Sequence, residues 1–184
     1  MTNINQNLEN ILQEYQKSFE KKVFNDGNSE HDLLMDVFNL TPELKAENMQ
    51  YWSRELGTCW QKLVVEICKI HCQNFQPALK IGNDEPCDLI VNSYAIDTKY
   101  RIGSGDSKTL KGFKQDGNKL KDLGYIPVIL ILRNDNLPAA ITACQTGNWN
   151  VYTGDNTFNF IQEISGFDLK QFLMSIKAKF AVVR

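Results

Sequence analysis

No apolar run in the chain approaches the roughly 20 residues that a helix needs to cross a bilayer. The composition, 42% hydrophobic and 23% charged over 184 residues, is that of an ordinary water-soluble domain with enough apolar material for one sizeable core. Residues 1–10 lack the basic-then-apolar layout of a secretory signal, so a cytoplasmic protein with no membrane partner is expected. Cysteine is sparse and odd in number: Cys59, Cys68, Cys72, Cys87 and Cys144 do not have the spacing of a small disulfide scaffold and read as reduced thiols. Cys68, His71 and Cys72 stand close together, but no second pair completes a zinc site, and buried structural thiols are the plainer reading. An excess of positive charge is missing as well. The net charge of −2 excludes a chain that is basic throughout. Gly103-Ser104-Gly105 lacks the lysine context of a phosphate loop, and no helicase or ATPase motif is present. With no repeat, linker or low-complexity segment, residues 1–184 are expected to form a single domain.

What the sequence does contain is a regular succession of elements. Leu8, Ile11, Leu12, Tyr15, Phe19 and Val23 recur at helical spacing, and Asn25-Asp26-Gly27-Asn28 ends the pattern. A short helix is expected over 31–39. Thr41-Pro42, followed by Glu43 and Glu47, reads as the start of a long helix reaching about Cys72, with Leu56, Trp60, Leu63, Val64, Ile67, Ile70 and His71 on its apolar stripe. Leu79 and Ile81 suggest a short strand. Residues 87–92 and 94–101 read as two strands joined at Asn92-Ser93, 107–123 as a helix, and 128–132 as a strand buried on both faces. A second αβ step follows over 137–145 and 149–152, and 158–164 and 167–176 close the chain as helices. The chain divides into an N-terminal helical segment (1–40), a core (43–135) and a closing αβ unit with helices (136–184).

The chemistry concentrates in Glu85-Pro86-Cys87-Asp88 and Ala95-Ile96-Asp97-Thr98-Lys99. A two-residue loop at Asn92-Ser93 pairs Val91 with Tyr94 and sets Asp88 opposite Asp97. Strand alternation then puts Asp88, Asp97 and Lys99 on one face. Like charges directly opposite each other on antiparallel strands are destabilising, so a cation is expected between or beside them. Mg²⁺, held by one or two carboxylates plus water and phosphate oxygens, meets that need, and Lys99 supplies a further positive charge for a phosphate. Glu66, at the edge of the long helix's stripe, is the best candidate for a fourth member. Glu55 is held in reserve and Glu85 is weaker; for both helix acids a solvated flank is the alternative.

Pro86-Cys87-Asp88, eight intervening residues, then Asp97-Thr98-Lys99 resembles the PD-(D/E)XK nuclease superfamily. The resemblance implies an α/β fold with a restriction-endonuclease-like αβββαβ core: a mixed sheet flanked by helices, with extra N-terminal and C-terminal helices here. It departs from the family pattern only in the extra Cys87, since the proline has no chemical role. It implies Asp88 and Asp97 as metal ligands, Lys99 as the catalytic lysine, and an acid from the preceding helix, which maps to Glu66. The small size, with the runs 98–107 and 147–154, is similar to type II restriction endonucleases. That implies Mg²⁺-dependent cleavage of double-stranded DNA at a short palindromic site by a homodimer, in functional pairing with a DNA methyltransferase. A repair or junction-resolving nuclease of the same fold and a non-catalytic DNA-binding module are the alternatives. Arg101, Lys108, Lys111 and Lys114 are the expected phosphate contacts. Arg133 and Asn134 could read base edges, although 133–136 also suits an ordinary loop.

Overall fold

The computed structural model describes residues 4–20, 31–46 and 48–182. The expected break at Asn25-Asp26-Gly27-Asn28, Val23 before it, and Glu47 lie outside the described residues. Thirteen elements follow in order: α1 (Ile4–Glu20), α2 (Leu33–Phe38), α3 (Pro42–Ala46), α4 (Met49–His71), β1 (Phe75–Pro77), β2 (Leu89–Val91), β3 (Tyr94–Lys99), α5 (Ser107–Asp122), β4 (Ile126–Ile131), α6 (Pro138–Thr146), β5 (Asn150–Thr153), α7 (Asp155–Ser165) and α8 (Leu169–Ser175).

The five strands form one mixed sheet in the order β1-β2-β3-β4-β5. The first three are antiparallel neighbours, whereas β3, β4 and β5 run parallel. Parallel neighbours require a crossover, and α5 and α6 supply the two. The chain is therefore α/β, with a mixed sheet flanked by helices. Two expectations from the sequence are corrected. The first strand is Phe75–Pro77 and not the Leu79–Ile81 stretch, where Ile81 makes only an isolated bridge to Asp84. The long helix is also interrupted: α3 ends at Ala46, and α4 restarts behind Asn48, whose side chain accepts from the Tyr51 N–H. Asn48 has the short polar side chain that satisfies a first-turn donor.

Alternation along the inner strands feeds two apolar layers. Leu89, Val91, Ile96, Val128 and Leu130 pack with α4, α7, α8, α2 and α1. Ile90, Ala95, Ile129 and Ile131 pack on the other side with Leu120 of α5, Ala140 and Cys144 of α6, and Trp149. Trp60 is fully buried in the first layer and donates its indole N–H to the Leu130 carbonyl at 3.4 Å. Of the expected α4 stripe, Leu56, Trp60, Leu63, Val64 and Ile67 are buried, whereas Ile70 and His71 lie at the exposed C-terminal end. All five cysteines are free thiols. No described helix is long and apolar enough to cross a membrane.

The glycines of α5 divide by what surrounds them. A Cβ on Gly117 would stand 2.0 Å from the Gly147 carbonyl oxygen and 2.5 Å from the Trp149 indole nitrogen, so α5 crosses the α6–β5 connection with no room for a side chain. Gly112 faces open space. Gly117→Ala should therefore destabilise the protein by about 3 kcal/mol through overpacking against rigid backbone. Gly112→Ala should stabilise it by roughly 0.5–1 kcal/mol through helix propensity. Urea midpoints of the two variants check this, and equal shifts would contradict it.

Candidate active site

β2 and β3 leave their hairpin in the register that the sequence implies: Val91 pairs with Tyr94 and Leu89 with Ile96. The ladder stops there: the Asp88 N–H donates to the Ile96 carbonyl at 2.9 Å, so Asp88 meets the partner of Leu89 and does not pair with Asp97. The Asp88 carboxylate, however, is engaged elsewhere. Its Oδ2 accepts from the Thr98 N–H at 2.7 Å and the Thr98 hydroxyl at 2.6 Å. Its Oδ1 accepts from Gln61 Nε2 of α4 at 2.6 Å. The expectation of three side chains on one face is thus corrected. The short β2 ladder stops at Leu89, and the Asp88 side chain satisfies the Thr98 N–H beyond it. Asp97 and Lys99 keep the orientation that alternation gives them, toward α5 and α6.

Asp97 is buried, and its carboxylate meets the Lys99 ammonium at 2.6 Å. Burial pushes the Asp97 carboxyl up to about 6; Lys99 works against that shift, while Asp88 and Asp116 add to it. For Lys99 the balance has the other sign. Burial would lower its ammonium, but Asp97 and then Asp88 raise it above its ordinary value. Lys99 is therefore a fixed cation at neutral pH and not a base. Burial also pushes Cys87 up to about 11 and Cys144 up to about 12, with Asp97 contributing to both, so these neighbouring thiols stay neutral.

The other expected members lie apart. Glu66 accepts from Asn7 of α1 at 2.8 Å and lies 3.9 Å from Lys69, so Gln61, five residues earlier on α4, is the helix side chain that reaches Asp88. Gln61 and Glu66 line one hollow of about 480 Å³ with Glu14, Thr58 and Lys62. Glu55 pairs with Arg54 at 3.0 Å and faces the Tyr15 side of the α1–α4 contact. Glu85 is exposed and pairs with Lys80 at 3.4 Å. Two acids overlooked in the sequence stand nearer: Asp116 of α5 interacts with both Asp97 and Lys99, and Asp84 interacts with Asp116 while pairing with Lys119 at 3.1 Å. Gln61 carries no charge, so a pattern of acids on the preceding helix does not single it out.

The expected phosphate contacts remain accessible in part. Lys108, Lys111 and Lys114 are exposed on α5, whose first turn is capped by Asp106 accepting from Lys108 N–H and Thr109 N–H. Arg101 is also exposed, but it pairs with Asp135 at 2.7 Å. Arg133 is enclosed. Its side chain is 5% exposed and held by Asp135 at 2.6 Å and Asp32 at 3.5 Å, over the Tyr100 ring. Asn134 packs against Gly154, where a Cβ would come within 2.3 Å of its carbonyl oxygen. Both border the hollow of about 580 Å³ that also involves Asp32, Asp155, Lys170 and Lys177, and which contains none of Asp88, Asp97 and Lys99.

No protein-family model matches the chain, and neither the curated proteins nor the solved structures contain a match to it.

Proposed function

We propose that this chain is a Mg²⁺-dependent endodeoxyribonuclease: a type II restriction endonuclease that cuts double-stranded DNA at a short, palindromic site as a homodimer, in functional pairing with a DNA methyltransferase. The observation that supports this best is the buried Asp97, pushed up to about 6, set beside Asp88 and Lys99 at the end of one hairpin. A carboxylate desolvated to that extent is one that a cation would stabilise.

Whether the residues suit a metal turns on their number. Among the described residues, no group of three or more His, Cys, Asp or Glu gathers to hold an ion. That argues against a closed protein cage. Mg²⁺ needs no such cage, because it takes one or two carboxylates and fills its other positions with water and substrate phosphate. Asp97 would hold it together with the one uncommitted acceptor position of Asp88, whose carboxylate interacts electrostatically with Asp97 and Lys99 at the end of the ladder, without Glu66. When bound, the ion polarises the phosphorus centre and lowers the pKa of the attacking water. Lys99 stays protonated and donates to the scissile phosphate, countering the charge that grows on its oxygens. Burial of Asp97, with Lys99 half-buried beside it, strengthens these electrostatic contacts relative to bulk water.

Incubation with a plasmid of known sequence and Mg²⁺ tests the reading. Discrete, reproducible fragments support a restriction enzyme. Junction-only or nonspecific cutting would reassign the same site to repair, and no cutting under any divalent cation would sink the nuclease assignment. The exposed α5 lysines give a separate expectation. Replacing Lys108, Lys111 and Lys114 together with alanine should weaken DNA binding on every sequence alike, and should reduce the slope of log K against log salt by about 3. An unchanged slope would take the DNA backbone away from this helix.

A further inference from the structure

Asp88 is held from two directions by residues that do not belong to the expected motif. Gln61 Nε2 reaches its Oδ1 from α4 at 2.6 Å, while Thr98 N–H and Oγ1 reach its Oδ2 from β3 at 2.7 Å and 2.6 Å. A carboxylate offers about four acceptor positions, so three are committed. The carboxylate plane is fixed by contacts to one helix and one strand, both of which are anchored in the core. Gln61 is the one donor of the three that comes from outside the β2–β3 pair. Without it, Thr98 alone holds one oxygen, and the carboxylate can swing about that anchor.

We propose that Gln61 is a positioning residue: it orients Asp88 so that one free acceptor direction is presented to a divalent cation, and it does so without adding charge. The proposal rests on the nuclease reading above. The neutrality of glutamine matters. Asp88, Asp97 and Asp116 already interact with Lys99, and a fourth carboxylate placed against Asp88 would add like-charge repulsion, whereas an amide N–H can only be attracted to it. Thr98 contributes in the same way. Its hydroxyl is buried and points at Asp88, although its neighbours in the chain, Asp97 and Lys99, are the reactive pair. Partners that hold a metal-ligating side chain are typically worth 10–100-fold in metal affinity.

The test is Mn²⁺ binding, followed by the loss of the free-ion electron paramagnetic resonance signal, with the whole chain in the presence of mixed-sequence double-stranded DNA. Gln61→Met keeps the side chain's length and removes the donor. Thr98→Val keeps its shape and removes the hydroxyl donor alone. Gln61→Met should raise the Mn²⁺ Kd 10–100-fold, and Thr98→Val should raise it by a smaller factor. In cleavage assays kcat should fall in the same order, with the KM for DNA unchanged. Thermal unfolding within a few degrees of the parent establishes that each variant is folded, and Thr98→Val, an isosteric change, decides the matter if Gln61→Met is not. Wild-type Mn²⁺ affinity and kcat in a folded Gln61→Met chain overturn the positioning role and leave the nuclease reading standing. A parent protein that takes up no Mn²⁺ with or without DNA overturns both.

Discussion

Asp97→Asn will lose cleavage by on the order of 10³-fold or more while retaining DNA binding, and the same variant will be more stable than the parent at neutral pH. On the proposed nuclease function, the first expectation follows from the loss of a charged ligand and of several kcal/mol of transition-state charge stabilisation, each 1.36 kcal/mol being about tenfold in rate. The second follows from linkage. The Asp97 carboxyl sits at about 6 in the folded chain against an ordinary value of 3.8, chiefly because it is buried. Between those values the folded state holds a proton that the unfolded state has released, so stability falls as pH rises through this window, and the cost is complete above pH 6. A shift of that size corresponds to roughly 3 kcal/mol. Asparagine carries no such slope. The attraction of Lys99 for the ionised carboxylate is already contained in the value of about 6, so it needs no separate correction. Urea titrations at pH 3.5 and pH 7.5 should show the variant gaining about 3 kcal/mol relative to the parent across that interval. Plasmid cleavage at the parent rate would remove Asp97 from the active site, and parallel stability curves would refute its burial as an anion.

The paired character of this site explains how much of it could be read in the sequence. Register is a local property of a hairpin, so Asn92-Ser93 between two apolar runs was sufficient to place Asp97 and to bring Asp88 beside it. Asn92 takes φ 53°, the left-handed conformation that asparagine tolerates in a turn. The direction of the Asp88 carboxylate was not legible in the same way. It depends on where the ladder ends, and a ladder of three residue pairs leaves the Thr98 N–H to a side chain. Glu66 against Gln61 shows a similar limit. The periodicity of α4 fixes which residues are buried, but its rotation relative to the hairpin is set by packing of Trp60 on the sheet and by the contact with α1, neither of which is a local signal. The acid on the helix was therefore assigned by type when the position belonged to an amide.

The sheet was legible for a different reason. Residues 128–132 are apolar without interruption, as a strand covered on both faces must be, and Val128 and Leu130 do face one layer while Ile129 and Ile131 face the other. The β1 strand failed because Phe75-Gln76-Pro77 carries one apolar side chain of the right kind and ends in proline. At the sheet edge, proline's missing N–H has no neighbour to disappoint. The restart at Asn48 was hidden by the good helix-formers on both sides of it.

Arg133 is the position where burial has the largest consequence for stability. The sequence places it just after a buried strand, among residues that could meet bases, but its guanidinium is enclosed. Asp135 lies 2.6 Å away, Asp32 lies 3.5 Å away, and the Tyr100 ring lies 5.7 Å below. Tyr100 in turn donates its hydroxyl to Asp32 and accepts from the buried Lys45 ammonium at 2.8 Å. Burial and then Asp32 raise the Tyr100 hydroxyl well above its ordinary range, so it remains the neutral centre of this cluster. Arg133→Ala would leave Asp32 and Asp135 with one countercharge fewer, Asp135 keeping Arg101 at 2.7 Å. Breaking a buried pair from one side costs about 3–5 kcal/mol, since the remaining charges keep their desolvation penalty. Arg133→Lys should recover only part of that, because an ammonium cannot serve two carboxylates and a ring face from one plane. The expected result is a large fall in the urea midpoint for the alanine variant, an intermediate fall for lysine, and an unchanged pattern of plasmid fragments for whichever folds. A variant that kept its stability but cut at altered sequences would place Arg133 at the DNA interface. The fold argues for the first outcome: Tyr100 directly follows Lys99, so the cluster that Arg133 neutralises also anchors the strand end from which Asp97 and Lys99 project.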